Sequence, residues 1–100
     1  MAQSERVTVE VFGQEVNAWV VRTPGRQFPG VVVQGDTLHT LYARAEAVLG
    51  RARATAGADP ELADEAEELR DMLWAHLRAY EGALRAHGLP LPYARHAHPR

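Results

Sequence analysis

The sequence predicts an α+β domain: a three-stranded antiparallel sheet packed by one helix, followed by a long C-terminal amphipathic helix. Two observations lead to this class. Before residue 34 the apolar residues alternate with polar ones or form short β-branched runs, as in strands, and from Thr37 onward they recur every three or four residues, as in helices. One hundred residues suffice for one core but not for two, so we expect a single domain over residues 1–100.

The first two strands are predicted as a hairpin. Residues 6–12, RVTVEVF, place three valines on one face, and residues 16–22, VNAWVVR, form a second β-branched and aromatic run. Between them, residues 13–15, GQE, predict the turn. Because the link is so short, the two strands are expected to pair antiparallel.

A loop and a third strand follow the hairpin. Residues 23–30, TPGRQFPG, contain two Pro-Gly pairs, which predict a loop with Phe28 as its apolar anchor. Residues 31–33 are three valines, apolar on both faces, and predict a strand that is central or covered.

The first helix is expected to begin with Asp36 or Thr37 as its N-cap and to end at Gly50 or within residues 54–58. Its apolar stripe consists of Leu38, Leu41, Tyr42, Ala45, Val48, Leu49 and Ala52. This stripe is predicted to cover the sheet, which groups residues 6–56 as sheet plus helix one.

The second helix is predicted over residues 59–87, with Asp59 as cap and Pro60 in the first turn. Gly88 is expected to end it in the left-handed conformation, and residues 89–100 are predicted to be a proline-rich tail that lies along the surface or is disordered. The apolar stripe consists of Leu62, Ala66, Leu69, Leu73, Leu77, Tyr80 and Leu84.

The second helix is too long for so small a domain, since its residues span about 42 Å at 1.5 Å per residue. Two explanations stay open: the helix bends, or part of its stripe packs on a second copy of the chain. We therefore expect a homodimer formed through the long helix.

Composition excludes several classes of site and partner. The chain contains no cysteine, which excludes disulfides, thiolate metal sites and cysteine nucleophiles. Apolar runs such as residues 31–33 are far too short for a membrane span, so we expect a soluble cytoplasmic protein without a membrane partner. A net charge of −2 gives no general attraction to nucleic acid.

The stretch GVVVQGDT, residues 30–37, is close to a Walker A loop. Gly30, Gly35 and Thr37 match the pattern, but Asp36 stands where the phosphate-binding lysine belongs and would repel phosphates. We predict a strand-to-helix joint instead, in which Gly35 makes a tight turn and Asp36 or Thr37 caps the helix.

Other candidate sites are weaker. Asp36 and His39, three residues apart, support the hypothesis of a small enzyme or ligand carrier, but the first turn of a helix often holds such pairs. The single serine, Ser4, lies near the beginning of the chain and gives no nucleophile with a base. His96 and His98 are attributed to tail composition and not to a metal site. We expect no catalytic residue, no metal and no cofactor.

The stretch PGVVVQGDTL, residues 29–38, followed by an alanine-rich helix, resembles the signature of HicB-like antitoxin domains over about residues 6–56. The matching positions, all interpreted as structural turn and cap, are Pro29, Gly30, Gly35, Asp36 and Thr37. Thr37 is not followed by the glutamates usual in that family, so no capping box is expected. The longer stretch is also similar to a family of small uncharacterised bacterial proteins over nearly the whole chain.

The resemblance implies a reduced ribonuclease-H-like fold without catalytic carboxylates, which neutralises a small toxin by binding it. We therefore predict a non-enzymatic protein-binding module, antitoxin-like or immunity-like. The candidate partner-binding residues are Trp19, Arg22, Arg26 and Phe28. The alternative is an RNA- or DNA-binding accessory protein using Arg22, Arg26, Arg44, Arg51 and Arg53.

Overall fold

The computed structural model describes residues 3–15, 17–55 and 57–94. Its elements in chain order are β1 (Glu10–Gly13), β2 (Val20–Arg22), β3 (Gly30–Val31), α1 (Gly35–Ala54) and α2 (Pro60–Ala86). The predicted α+β class, with a three-stranded antiparallel sheet and two helices, is confirmed.

The chain divides into two compact units. The sheet unit, Met1–Gln34, contains all three strands, and the helical unit, Gly35–Arg100, contains both helices. In this division the first helix is grouped with the second, whereas the sequence grouped it with the strands over residues 6–56. The covering of the sheet by the first helix stays a prediction.

The strands are shorter than predicted because the hairpin contains an irregularity. The sheet order is β1-β2-β3, and β1 pairs antiparallel with β2 with a bulge between Val11 and Gly13. Gly13 is therefore opposite Val20 in the ladder, and its prediction as a turn residue is wrong. The turn comes later, where the Ala18 amide donates to the Glu15 carbonyl at 3.2 Å. Val16, predicted to open the second strand, lies outside the described residues.

The third strand begins one residue before the valine run. Gly30 pairs with Val21 and Val31 with Val20, and the Val32 amide donates to the Trp19 carbonyl at 2.8 Å. Since β3 is an edge strand, the prediction of a central strand is wrong, and Val31 is 59 % exposed.

Helix α1 begins at Gly35, so Asp36 and Thr37 lie inside its first turn and not at the flanking cap position predicted for them. Asp36 still serves the helix end, because its Oδ1 accepts a hydrogen bond from the Thr37 amide at 2.9 Å. An acid in the first turn also offsets the helix dipole. The helix continues through Gly50 to Ala54.

Gly35 is required by a tertiary contact and not by backbone conformation. Positive φ angles occur at Gly25 and Gly88 but not at Gly35. A Cβ built on Gly35 would overlap the Tyr80 ring of α2. The first residue of α1 must therefore lack a side chain for the two helices to approach at this end.

Both ends of α2 agree with the prediction. Asp59 is the N-cap and accepts from the Leu62 amide at 3.2 Å, and Pro60 is in the first turn. At the other end Gly88 has φ 69°, and the Leu89 amide donates to the Leu84 carbonyl at 2.9 Å. The amide of Gly88 donates in turn to the Arg85 carbonyl, which completes a Schellman motif.

The core of the helical unit lies between the two helices. Its buried apolar residues are Tyr42, Ala45, Leu49, Ala52, Ala66 and Leu77. Leu49 and Leu77 are fully buried, and the alanines let the two backbones approach closely. Ion pairs Glu46–Arg70 and Arg53–Glu67 show that the helices run antiparallel, as in a helical hairpin.

We expect Gly35→Ala to destabilise the helical unit by about 1–3 kcal/mol, because the added methyl group must displace the Tyr80 ring or the start of α1. Gly50→Ala is the matched control: it lies in the same helix with open space around its Cβ position. This control should stabilise the protein by about 0.5–1 kcal/mol through helix propensity alone. Urea unfolding followed by far-ultraviolet circular dichroism measures both, and equal effects would contradict the Tyr80 explanation.

Candidate functional site

The sheet unit exposes its apolar side chains. Among residues 3–15 and 17–34 no residue is buried. The large apolar residues exposed there are Val7, Val11, Phe12, Trp19, Phe28, Val31, Val32 and Val33. A large exposed apolar surface on a protein is typical of a site that binds a partner.

The loop between β2 and β3 is built on a tight turn. The Arg26 amide donates to the Thr23 carbonyl at 3.2 Å, with Pro24 and Gly25 at the two central positions. Gly25 has φ 81°, which fits the third position of a type II turn. The second Pro-Gly pair has another role, since Gly30 enters β3.

The Arg22 side chain contacts both this loop and the neighbouring strand. Its Nε and Nη2 lie 2.8 and 2.6 Å from the same carboxylate oxygen of Glu10, its register partner on β1. Its Nη1 donates to the Gln27 carbonyl at 3.2 Å, and the guanidinium carbon lies 5.4 Å from the centre of the Phe12 ring. Arg22 therefore connects β2 to β1 and to the loop.

A groove of about 360 Å³ lies beside the loop, and we call it the loop groove. It is lined by Val21, Thr23, Arg26, Phe28, Pro29, Gly30, Val31 and Val32. Phe28 is 75 % exposed, which favours its interpretation as a partner-binding residue over that of an apolar anchor of the loop. The groove brings together two of the predicted partner-binding residues, Arg26 and Phe28.

A second groove of about 340 Å³, the Trp19 groove, is lined by Asn17, Trp19, Val32 and Gln34. Val32, directly after β3, lines both grooves, so the two grooves adjoin at this residue. Val31 of β3 and Val32 directly after it were missed as site residues, because a run apolar on both faces is typical of a buried strand.

The arginines of the nucleic-acid alternative are divided between the two units. Arg22 and Arg26 belong to the sheet unit, and the three others belong to the helical unit. Arg22 is paired with Glu10, and Arg53 lies 3.3 Å from Glu67. The sheet unit contains three arginines and three glutamates, so it offers phosphates no net positive charge.

The helical unit contains a buried arginine that the sequence did not reveal. Arg70 is 6 % exposed and pairs with Glu46 and Asp71, each at 2.6 Å. Burial acts to lower the pKa of Arg70, but the hydrogen bonds to the two carboxylates outweigh it and raise that pKa. Its position on the same helix face as Ala66 and Leu77 was the available signal.

A second polar contact attaches the start of the tail to the helices. The Tyr93 hydroxyl donates to Glu81 at 2.8 Å, and Glu81 is 4 % exposed. The Tyr93 ring stacks on His39, with centroids 4.0 Å apart. The tail was predicted to lie on the surface, but Tyr93 is half-buried. Burial first, and then the bond to Glu81, raise the pKa of Tyr93.

The hypothesis of a site at Asp36 and His39 gains no support from these contacts. Asp36 accepts from the Thr37 amide, and His39 stacks on Tyr93. Within residues 3–15, 17–55 and 57–94 no group of three histidine, aspartate or glutamate side chains could hold a metal ion. His96 and His98 lie outside these residues.

A protein family described as "Family of unknown function (DUF6959)" matches residues 4–93. The chain belongs to this family. The DUF6959 match includes all five elements of the structure, from β1 to α2. No curated protein and no solved structure matches the chain. The resemblance to HicB-like antitoxin domains therefore stays a prediction.

Neither helix in the described part of this DUF6959 protein is long and apolar enough to cross a bilayer.

We expect Tyr93→Phe to destabilise the helical unit by about 1–3 kcal/mol at neutral pH, because Glu81 loses a buried hydrogen bond. The folded state holds the Tyr93 proton more tightly than the unfolded chain, so this contribution is present below pH 10, the ordinary pKa of tyrosine, and is lost as the pH rises above it. Unfolding midpoints, measured by circular dichroism at pH values below and above 10, should fall more steeply with rising pH in the wild type than in Tyr93→Phe. Burial also raises the pKa of Tyr42, which accounts for the slope that remains. Identical slopes would contradict this role of Tyr93.

Proposed function

We propose that the sheet unit is a non-enzymatic protein-binding module, antitoxin-like or immunity-like, whose partner covers the loop groove and the Trp19 groove. The observation that carries the proposal is the exposure of this unit's large apolar side chains. A sheet with strands of four, three and two residues is marginal by itself and gains most from a partner that buries those side chains.

The edge of β3 supports a particular mode of binding. Within the part of the chain that the structure describes, the strand pairs on one side, with β2, so its other edge presents backbone donors and acceptors. A partner strand can add to such an edge, with main-chain bonds for affinity and pockets for alternate side chains. The two grooves, which share Val32, are placed to receive those side chains.

The two grooves contain residue types that often supply most of the binding free energy of an interface. Tryptophan, other aromatic residues and arginine are enriched at the centres of interfaces, and the grooves contain Trp19, Phe28 and Arg26. Arg22 contributes indirectly, because its bonds to Glu10 and Gln27 hold the loop in place before binding. A loop that is already ordered loses less entropy in the complex.

The location, the partner class and the assembly of the module are proposed from the sequence. We place the module in the cytoplasm, with a small toxin as the partner that the HicB-like resemblance implies and a homodimer as its assembled state. The alternative of an RNA- or DNA-binding accessory protein is weaker, because Arg22 and Arg53 already form ion pairs with Glu10 and Glu67.

We expect the full chain to form a stoichiometric complex with the product of a neighbouring gene when the two are co-expressed. Trp19→Ala and Phe28→Ala should each weaken the complex at least about tenfold, because each removes a large apolar contact. Val7→Ala is the matched control, since Val7 is 56 % exposed in the same unit but lines neither groove. Isothermal titration calorimetry measures the three affinities.

Two results would count against the module. Failure of every neighbouring product to bind would reject the proposed partner class, and wild-type affinity of the Trp19→Ala, Phe28→Ala double variant would reject the surface. Trp74→Phe supplies an independent readout, because it leaves Trp19 as the single tryptophan. Its emission should shift to shorter wavelength when the partner covers it.

A further inference from the structure

The helical unit has an apolar surface outside its core, which we call the hairpin face. Its residues are Leu41, Val48, Leu62, Leu69 and Met72, exposed by 44, 51, 46, 50 and 59 %. A shallow cavity of about 440 Å³ is lined by Val48 of α1 and by Leu62, Leu69 and Met72 of α2, so the two helices contribute to one continuous surface.

The spacing of these residues is that of a helix seam. Leu41 and Val48 are seven residues apart on α1, and Leu62 and Leu69 are seven apart on α2. Residues seven apart lie on the same side of a helix, two turns from each other, so each pair extends the face along its helix. Each helix is therefore apolar over a wider arc than its neighbour in the hairpin covers.

The two long edges of the hairpin face have opposite charge. On α1 the exposed Arg44 and Arg51 each follow a face residue by three positions, which places them on the same side of the helix. On α2 the exposed Glu65 and Glu68 line the same cavity as Leu69. The surface is thus basic along α1, apolar in the middle and acidic along α2.

We propose that the hairpin face binds a second copy of this chain, with a two-fold axis parallel to the helices, to form a four-helix bundle. In a two-fold interface the same patch meets itself. A rotation about an axis parallel to the helices lays α1 of one copy over α2 of the other. This arrangement brings the basic edge of each copy to the acidic edge of the other. A two-fold axis across the helices would instead set arginines against arginines and glutamates against glutamates.

The register between α1 and α2 also supports an axis parallel to the helices. The ion pair between Glu46 and Arg70 shows which levels of the two helices are side by side, and it places Val48 at about the level of Leu69. Rotation about an axis parallel to the helices preserves these levels. Val48 of each copy therefore meets Leu69 of the other, with Arg51 near Glu65 at the rim, and neighbouring helices of the bundle are antiparallel.

The available area is sufficient for a dimer. Helix α1 spans about 30 Å at 1.5 Å per residue, and two packed helices are about 20 Å wide. The face therefore offers about 600 Å² per copy, or about 1,200 Å² in total, at the lower end of specific interfaces. The proposal concerns the helical unit and does not rest on the binding role of the sheet unit.

Sedimentation equilibrium of the full chain at micromolar concentration tests the dimer. We expect twice the chain mass of 11.1 kDa. Leu69→Glu should raise the dimer dissociation constant at least about tenfold, while circular dichroism shows that the helices still form, since Leu69 is half exposed already. Ala75→Glu is the control, because it adds the same charge at an exposed position of α2 that lies off the face. A monomeric wild type, or a dimer that Leu69→Glu does not weaken, would overturn the proposal.

Charge exchange tests the direction of the axis. Arg51→Glu and Glu65→Arg should each weaken the dimer, and the two substitutions together should restore it. If the single substitutions leave the dimer unchanged or strengthen it, the axis parallel to the helices is wrong. Trp19→Ala and Phe28→Ala should leave the dimer intact, so a failure of partner binding in the sheet unit is distinguishable from a failure of this interface.

Discussion

The close approach of α1 to α2 is the constraint on which the rest of the helical unit depends. Alanines at the contact let the helices approach until Leu49 and Leu77 are fully buried, and Gly35 leaves room for the Tyr80 ring. In so narrow an interface a buried charge is costly unless it is paired, and Arg70 has Glu46 for that purpose. The ion pair therefore helps to set which turn of α1 lies beside which turn of α2.

The sheet unit is stabilised in a different way. Its strands are short, and it depends on local devices: a type II turn at Gly25, a bulge in β1 and the bonds of Arg22 to Glu10 and Gln27. These order the loop, but they bury little apolar area, and burial is the main source of folding free energy. A partner that covers the exposed valines and aromatic residues would supply this missing term, so binding and stability of the unit are expected to be linked.

Sequence patterns predicted what depends on neighbouring residues and missed what depends on distant ones. The caps of α2 were predictable because Asp59 and Gly88 act within a few positions of themselves. The start of α1 was not predictable, because Gly35 is required there by the Tyr80 ring of the other helix. The bulge in β1 leaves no mark in an alternating pattern. At the candidate site, Trp19 and Phe28 were recognisable as large aromatic residues. Whether each lies on a partner surface or in a core depends on its exposure, which the sequence does not give.

The two exposed apolar surfaces suit different partners, and the difference lies in their symmetry. The hairpin face is basic on one edge and acidic on the other, so a second copy of the chain would match its charges. The grooves beside β3 combine the outer edge of this strand with aromatic residues, an arrangement that would suit an unlike chain. A dimer through the helices would present two sheet units together. Each partner contact would then be strengthened by the other if the partner is itself dimeric, because the second contact becomes intramolecular.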